Sequence, residues 1–181
     1  MRSVISHKPG WLTAWRSLCA VLGMASTLSL APHTAHAVTA GEPVPDIELH
    51  GAGGVKKLSD LKGKLVYVDF WASWCGPCKQ SFPWMNEMHR KYSARGLHIV
   101  AINLDAKRAD ADRFLATSAA EFALAFDAGG ESAKRLAVKG MPTSVLVGVD
   151  GKVLYVHRGF KLEERGELEA RLATALGVKL P

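Results

Sequence analysis

The hydrophobic pattern of residues 65–177 predicts strands that alternate with helices. Leu65–Phe70 and His98–Leu104 are nearly continuous apolar runs, which is typical of strands that a sheet buries on both faces. Phe122–Phe126 predicts a further short strand. Apolar residues at helical spacing predict helices over residues 78–92, 111–118 and 131–138, and a last helix from Leu168 to Leu176.

Turn signals complete this outline. Asp150-Gly151 lies between the β-rich runs Ser144–Val149 and Lys152–His157, and this dipeptide predicts a hairpin. Residues 38–64 are rich in Gly and Pro, which indicates a loop-rich segment with at most a short hairpin. Alternating strands and helices, followed by a hairpin and a helix, indicate an α/β fold with a mixed central sheet and helices on both faces.

The first 37 residues have the composition of an export signal. Residues 1–17 carry basic residues but no acidic one, and Leu18–Ala31 is an apolar run broken only by Ser and Thr. As a helix, this run of 14 residues rises about 21 Å, less than the roughly 30 Å of a hydrocarbon core. Ala35-His36-Ala37 supplies the small residues of a cleavage site. We therefore predict a cleavable signal peptide over residues 1–37, a mature domain over residues 38–181 and a periplasmic location.

An uncleaved N-terminal membrane anchor is the alternative, since Trp11 and Trp15 would extend the apolar segment at an interface. Cleavage after Ala37 leaves 20 basic and 17 acidic residues, a net charge of +3. The mature chain has no clustered basic stripe of the kind that nucleic-acid binding needs. We expect no nucleic-acid partner, and a monomer.

Cysteine placement points to redox chemistry. Without Cys19, the mature chain has only Cys75 and Cys78, two residues apart. Loop entropy gives such a four-residue ring about 2 kcal/mol, against about 4.7 kcal/mol for a 100-residue loop. The pair is therefore poorly placed as a structural crosslink and well placed as a redox switch.

The context of the pair assigns a role to each cysteine. Trp74-Cys75-Gly76-Pro77-Cys78 follows a predicted strand and opens a helix. Free N–H groups and the helix dipole there favour a thiolate at Cys75, so Cys75 is the predicted nucleophile, exposed and unusually acidic. Cys78, one turn further, is the predicted resolving thiol. A zinc site is the alternative, but the four mature histidines lack the spacing to complete it, and we predict no metal.

Two segments resemble thioredoxin. Val68–Lys79 is similar to its active-site segment, and Gly140-Met141-Pro142-Thr143 is similar to its cis-proline loop. The resemblance covers nearly all of residues 55–177, with room for an additional helix and strand between Asp105 and Pro142. It implies a member of the TlpA/ResA branch of exported thiol-disulfide oxidoreductases. The implied fold is the thioredoxin-like three-layer fold with a βα-type insertion before the cis-Pro loop.

The resemblance also implies roles for individual residues. Pro142 would be cis, and its neighbours Met141 and Thr143 would face the dithiol and pair with an extended substrate segment. Asp69 would take the proton of Cys78 through water, which requires a raised pKa. The alternative for Asp69 is a carboxylate at a strand end, bonded to backbone or solvent. The predicted substrate-binding residues are Trp74, Gly76, Pro77, Met141, Pro142 and Thr143. Trp71 is expected to shape the docking surface with Trp74, and a place in the core is the alternative for both tryptophans.

Two positions depart from the family pattern. Members that serve cytochrome c maturation commonly have an acidic residue three places after the second cysteine, and this chain has Ser81 there. Apo-cytochrome is therefore a doubtful substrate. The lysine that thioredoxin places near its buried aspartate corresponds to Ile102, which would raise the pKa of Asp69 further.

The dipeptide between the cysteines indicates the direction of electron flow. Gly-Pro is the dipeptide of thioredoxin, whose potential is near −270 mV, against about −120 mV for a strongly oxidising periplasmic relative. We therefore predict a protein-disulfide reductase that has no cofactor besides the Cys75–Cys78 disulfide, acts on client proteins with disulfides and is re-reduced by a membrane thiol donor. A thiol oxidase or isomerase, a peroxidase and a copper-delivery module on the same fold are the alternatives.

Overall fold

A five-stranded sheet forms the centre of residues 38–179, the part of the chain that this computed structural model describes. The strands are β1 (Glu48–Ala52), β2 (Val55–Lys57), β3 (Leu65–Trp71), β4 (Leu97–Asn103), β5 (Ala123–Phe126), β6 (Thr143–Val147) and β7 (Val153–Arg158), and the helices are α1 (Gly76–Tyr92), α2 (Arg108–Leu115), α3 (Glu131–Arg135) and α4 (Arg165–Ala175). The sheet order is β5-β4-β3-β6-β7. Strands β3 to β5 are parallel, whereas β6 and β7 are each antiparallel to the preceding neighbour in the sheet. The predicted mixed α/β sheet is confirmed.

Strand β3 lies at the centre of the sheet and is buried along its whole length. Successive side chains of a strand point to opposite faces. Val66, Val68 and Phe70 belong to the hydrophobic core on one face, and Tyr67 and Trp71 belong to the core on the other. An apolar strand of this kind is stable only where both faces of the sheet are covered.

Helices cover both faces of the sheet, as predicted. The face of Tyr67 and Trp71 packs against α1, α2 and α4 through residues that include Phe82, Phe114 and Leu172. The opposite face packs against α3 and the loop-rich segment 38–61 through residues that include Ile47, Leu49, Ala133 and Leu136. The sheet is therefore the middle of three layers.

Three loops meet at one edge of the sheet. Parallel β3 and β4 end together, with Trp71 in register with Asn103. Strand β6 runs in the opposite direction and begins at the same edge, where Thr143 pairs with Phe70. Residues 72–75, 104–107 and 140–142 consequently lie at this edge, the active edge.

Helices end earlier than the hydrophobic pattern predicts. Helix α2 ends at Leu115 and not near Ser118, and α3 ends at Arg135 and not at Val138. Ala137 has φ of 50°, a left-handed conformation that a continuing helix does not allow. The apolar spacing continues past these ends because the residues beyond a helix still pack on the core.

The two hairpins differ in how well the sequence predicts them. Strands β1 and β2 form the short hairpin expected within residues 38–64. The β6–β7 hairpin exists, but the strands end at Val147 and restart at Val153, so its loop is longer than the two residues predicted. Asp150 Oδ1 accepts the Lys152 N–H at 3.0 Å, and Gly148 N–H donates to Lys152 O at 2.8 Å. These bonds close a loop that is wider than two residues, in which Asp150 is a hydrogen-bond acceptor.

The predicted signal peptide, residues 1–37, lies outside the described residues. Within residues 38–179, no helix has the length and apolar character needed to span a bilayer. The segment in which the sequence predicts an inserted helix and strand, between Asp105 and Pro142, contains α2, β5 and α3.

Candidate active site

A disulfide joins Cys75 and Cys78 at the start of α1, on the active edge. Cys75 is the N-cap residue of the helix, and its Sγ accepts the backbone N–H of Cys78 at 3.2 Å. Pro77 lies in the first helical turn, where its missing N–H leaves no bond unmade. Helix α1 thus begins at Gly76, two residues before the predicted start, and the N–H of Cys78 in its first turn points at the Cys75 sulfur.

The exposure of the two sulfurs differs from the prediction. Cys78 is fully buried, as expected, but Cys75 is also buried, with only 4% of its surface exposed. The expectation of an exposed Cys75 is wrong for the disulfide form, because its sulfur lies against the helix terminus and bonds inward to Cys78. Solvent instead reaches Trp74, which is 71% exposed, and the exposed Gly76 and Pro77.

The cis-proline loop lies on the same edge of the sheet as the disulfide. The Met141–Pro142 peptide bond is cis, in agreement with the sequence prediction. Met141 is half-buried and packs against the hydrophobic cluster that contains both cysteines. Pro142 O accepts the Gly159 N–H at 2.8 Å, and Thr143 Oγ1 donates to Gly140 O at 2.7 Å. Buried Pro142 and Thr143 therefore form the base of the loop, whereas Gly140 is exposed and Met141 is half-buried.

Asp69 is a buried carboxyl group on the face of the sheet that α1 covers. It is 1% exposed, and its Oδ1 accepts the Ser144 hydroxyl at 2.7 Å. Burial raises the pKa of Asp69 to about 7, although the Ser144 hydrogen bond acts in the opposite direction. The predicted rise of the pKa is confirmed. The alternative, a strand-end carboxylate bonded to backbone or solvent, is wrong because Asp69 lies inside β3 and its partner is a buried side chain.

The residue beside Asp69 on β4 is Ala101, not Ile102. Asp69 is in register with Ala101, and Ile102 pairs with Phe70 on the opposite face. The prediction that Ile102 occupies the thioredoxin lysine position is therefore wrong by one residue. A shift of one residue along a strand moves a side chain to the other face of the sheet. Ala101 carries no charge, so no cation of β4 stabilises the ionised Asp69.

A second buried carboxyl group, which the sequence analysis did not identify, holds the loop before Cys75. Asp105 is 4% exposed and accepts the Ser73 N–H at 2.9 Å and the Ser73 hydroxyl at 3.0 Å. Asn103 Nδ2 also donates to Asp105, at 2.7 Å. The only sequence signal for this cluster was a polar pair, Asn103 and Asp105, at the carboxyl end of a buried strand.

Trp71 and Ser81 are both buried and contact other residues of the protein interior. Trp71 is fully buried, with its ring 4.8 Å from Phe82 and 4.9 Å from Phe114, so its expected place in the docking surface is wrong. A strand residue at the fully covered centre of the sheet cannot reach solvent. Ser81 is buried too, and its hydroxyl donates to Cys78 O at 3.0 Å. Ser81 thus bonds to the helix backbone and offers no acidic group near Cys78.

Residues 38–179 contain no group of three or more His, Cys, Asp or Glu side chains placed to hold a metal ion.

The position of the disulfide defines the class of the protein. A Cys-Gly-Pro-Cys disulfide at the N-terminus of the helix that follows the central strand, with a cis-proline at the same edge of the sheet, is the site of a thioredoxin-fold thiol-disulfide oxidoreductase. The chain belongs to the Redoxin family, whose pattern matches residues 39–174.

Named relatives agree with this class. The thiol-disulfide oxidoreductase ResA of Bacillus thuringiensis is 36% identical over 128 residues, which are 70% of this chain and 74% of that protein. ResA of Bacillus subtilis is 32% identical over 127 residues, 70% of this chain and 71% of that protein. A Chlorobium tepidum crystal structure, described as thiol:disulfide interchange protein DsbE, is 53% identical with a TM-score of 0.75 and covers 78% of this chain and 100% of that one. The chain is a ResA-like thiol-disulfide oxidoreductase.

Proposed function

We propose that this protein is exported and reduces disulfides of client proteins through a mixed disulfide at Cys75. The observation that carries the proposal is the Cys75–Cys78 pair at the N-terminus of α1, where Cys75 Sγ accepts a backbone N–H. The same hydrogen bond and the helix terminus stabilise a thiolate once the disulfide is reduced. Gly-Pro between the cysteines favours the reducing direction.

The reaction has two displacement steps. The Cys75 thiolate attacks one sulfur of a client disulfide, a new S–S bond forms, and the other client sulfur leaves as a thiolate. Cys78 then loses its proton through water to Asp69 and attacks Cys75 Sγ, and the second client sulfur leaves. The client gains two electrons, and Cys75–Cys78 returns to the disulfide. A base with a pKa near 7, such as the buried Asp69, suits this proton transfer at neutral pH.

Client docking involves the exposed residues around the disulfide. Trp74 offers a large apolar surface, and Gly76 and Pro77 leave the approach to the sulfurs free of bulky side chains. Met141 is the member of the cis-proline loop that an extended client segment would pair with, while Pro142 and Thr143 support it from below.

A periplasmic location follows from the sequence of residues 1–37. Their basic start, apolar run and Ala35-His36-Ala37 support export and cleavage before Val38. An oxidising compartment does not keep a reductase reduced, so a membrane thiol donor must supply electrons. N-terminal sequencing of the protein from the periplasm should give Val38 as the first residue. Recovery of the intact chain from membranes would support the anchored alternative.

The direction of electron flow is tested by the reduction potential. Equilibration of the Cys75–Cys78 pair with dithiothreitol buffers should give a value near −270 mV, and a potential above about −180 mV would assign an oxidase or isomerase. Reduction of insulin by dithiothreitol should be accelerated by the protein and not by its Cys75→Ser variant.

Clients are identified by trapping. In the Cys78→Ser variant the second step is blocked, so mixed disulfides at Cys75 should accumulate in the periplasm. The Cys75→Ser, Cys78→Ser double variant is the control, and the same linked proteins in that control would contradict the mechanism.

A further inference from the structure

A chain of two buried hydroxyl groups ends on one oxygen of Asp69. Tyr67 OH donates to Ser144 Oγ at 2.7 Å, and Ser144 Oγ donates to Asp69 Oδ1 at 2.7 Å. All three side chains are at most 4% exposed. Ser144 comes from β6, two residues after Pro142, and Tyr67 and Asp69 are neighbours on the same face of β3. The chain therefore joins the strand that begins at the cis-proline loop to the buried carboxyl group.

The direction of these hydrogen bonds is fixed by Tyr67. Burial, and to a smaller extent the charge of Asp69, raises the pKa of Tyr67 above its ordinary value, so the phenol keeps its proton at neutral and alkaline pH. Tyr67 therefore remains a donor to Ser144. The Ser144 hydroxyl has one proton, and with Tyr67 bound to its oxygen that proton is directed to Asp69 Oδ1.

The two oxygens of Asp69 are consequently not equivalent. Oδ1 is occupied by Ser144, whereas Oδ2 is buried and has no hydrogen-bond partner. A buried carboxyl oxygen without a donor is costly, and it is expected where it has a chemical use. Cys78 is buried on the same face of the sheet. A proton that arrives at Oδ2 leaves the bonds of Tyr67 and Ser144 unbroken.

We propose that Ser144, held by Tyr67, is a positioning residue for the resolving step, which keeps Oδ1 of Asp69 occupied and leaves Oδ2 to receive the proton of Cys78. The proposal rests on the proposed function, in which Asp69 is the base. In that step the Cys78 proton passes to Oδ2, and the Cys78 sulfur forms a bond with Cys75 Sγ. The bond between Cys75 and the client breaks, and its electron pair leaves on the client sulfur.

Few other charged groups face Asp69. Strand β4 contributes Ala101, and Cys78 of α1 is buried on the same face of the sheet, joined to Cys75. Strand β7 contributes His157, which is in register with Ser144 and whose Nε2 lies 3.2 Å from a Glu164 oxygen. A His157→Gln background removes this imidazole from the measurement. The Tyr67 phenol does not ionise in the pH range of the test.

The first test measures the titration of Asp69 in the oxidised protein, in which the cysteines do not titrate. Carboxyl ¹³C chemical shifts should place the midpoint near the value of about 7 in the unaltered chain. Ser144→Ala removes a hydrogen bond to the charged form, and the midpoint should rise by about one pH unit. Ser144→Thr keeps a hydroxyl and should restore the midpoint. Tyr67→Phe should give a smaller rise, and it serves as the second variant if Ser144→Ala does not fold.

A matched control separates this effect from the loss of a buried serine. Ser132 is also buried and donates to a carboxylate, that of Asp127. Ser132→Ala should leave the titration of Asp69 unchanged. An unchanged Asp69 midpoint in both Ser144→Ala and Tyr67→Phe would overturn the proposal.

The second test follows the resolving step itself. The reduced protein attacks 5,5′-dithiobis(2-nitrobenzoate), and release of the second thionitrobenzoate reports the attack of Cys78 on Cys75. Because its Asp69 midpoint is one pH unit higher, Ser144→Ala should release the second thionitrobenzoate about fivefold more slowly at neutral pH. At alkaline pH the release rate should return to that of the unaltered chain. Ser144→Thr should behave as the unaltered chain. If the titration midpoint of Asp69 shifts but the pH dependence of the release rate does not, the proposal would also be overturned. Failure of the proposed function would appear separately, as an unaltered protein that does not reduce insulin.

Discussion

Asp69 and Trp74 each lie in surroundings that do not suit their side chains, a carboxyl group in the interior and an indole in solvent. Asp69 is a carboxyl group with 1% exposure inside an apolar strand, and Trp74 is an indole with 71% exposure next to Cys75. Burying a carboxyl group costs free energy unless it is neutral or well bonded, and exposing an indole forgoes the gain from its burial. Trp74 precedes Cys75 in the chain, and Asp69 lies on the face of the sheet that buries Cys78. Under the proposed function, each contrast has a use in the reaction.

The buried carboxyl group predicts a pH-dependent stability. Burial raises the pKa of Asp69 to about 7 in the folded chain, against an ordinary value of 3.8. The folded state therefore binds more protons than the unfolded state between these values, and stability falls as the pH rises through this window. Asp69→Asn stays uncharged, so the variant should be more stable than the unaltered chain by up to about 4 kcal/mol at about pH 8 and by almost nothing at about pH 4. Urea unfolding of the oxidised proteins measures this.

Asp60→Asn is the control for this prediction. Backbone N–H groups of Lys57 and Lys56 lower the pKa of Asp60, so this exposed carboxylate is favoured in the folded state. Its removal should therefore cost more stability at neutral pH than in acid, which is the opposite sign. A difference between Asp69→Asn and the unaltered chain that stays constant with pH would contradict the prediction.

The exposed indole predicts a defect limited to protein clients. Trp74→Ala should slow the reduction of insulin about tenfold, because docking loses a large apolar contact, and should leave the free energy of unfolding almost unchanged. Reaction with dithiothreitol, which needs no docking surface, should keep its rate. Val149→Ala is a matched control, since Val149 is 59% exposed in the loop between β6 and β7, away from the active edge. Equal slowing by both variants would argue against a docking role.

At the scale of elements, the active-site loop is attached to two neighbouring strands. Residues 72–75 follow β3, and Asp105, just beyond the end of β4, binds both the N–H and the hydroxyl of Ser73. Loop geometry ahead of α1 therefore depends on a carboxyl group from the next strand. The same edge receives the cis-proline loop from β6. The segments that follow β3, follow β4 and precede β6 thus lie at one edge of the sheet. Only the segment after β3 carries the disulfide.

Removal of Asp105 should loosen this attachment. Asp105→Ala leaves the half-buried Ser73 N–H and the buried Asn103 amide without an acceptor, at a cost of about 3 kcal/mol in the free energy of unfolding. Insulin reduction should slow as well, because the N-cap position of Cys75 is less constrained. Asp127→Ala is the matched control, since Asp127 binds the N–H and hydroxyl of Ser132 in the same manner. It should lose stability without losing the reductase rate, and a stable, fully active Asp105→Ala would contradict the argument.

At the scale of the whole molecule, the redox pair and the fold are coupled. The sheet buries both cysteines at the start of α1, so oxidation or reduction changes groups inside the core. By thermodynamic linkage, a folded state that favours formation of the disulfide is itself stabilised when the disulfide forms. A reductase has a stable disulfide, whereas a strong oxidant has a stabilised dithiol.

This linkage predicts the order of stability of the two redox states. The oxidised protein should be more stable to urea than the reduced protein by about 2 kcal/mol, the contribution of a four-residue ring. The Cys78→Ser variant, which cannot form the disulfide, should unfold at the same urea concentration under oxidising and reducing conditions. A reduced form more stable than the oxidised form would assign an oxidase.

Local patterns were enough to predict the main elements and the redox pair. The apolar runs of β3 and β4, the helix after Cys75 and the Cys75–Cys78 spacing depend on residues that are close together along the chain. Their physics is local: alternation, helical periodicity and the free N–H groups of a helix terminus. The short strand β5 and the final helix α4 followed from the same signals.

Tertiary structure alone decided the partners of the buried polar groups. Asp69 meets Ser144 across 75 residues of sequence, and Asp105 meets Ser73 across 32. Strand register set Ala101 rather than Ile102 beside Asp69. Local periodicity says that a strand is buried, but which side chains meet across a sheet depends on how distant strands align, and no pattern within one strand contains that information.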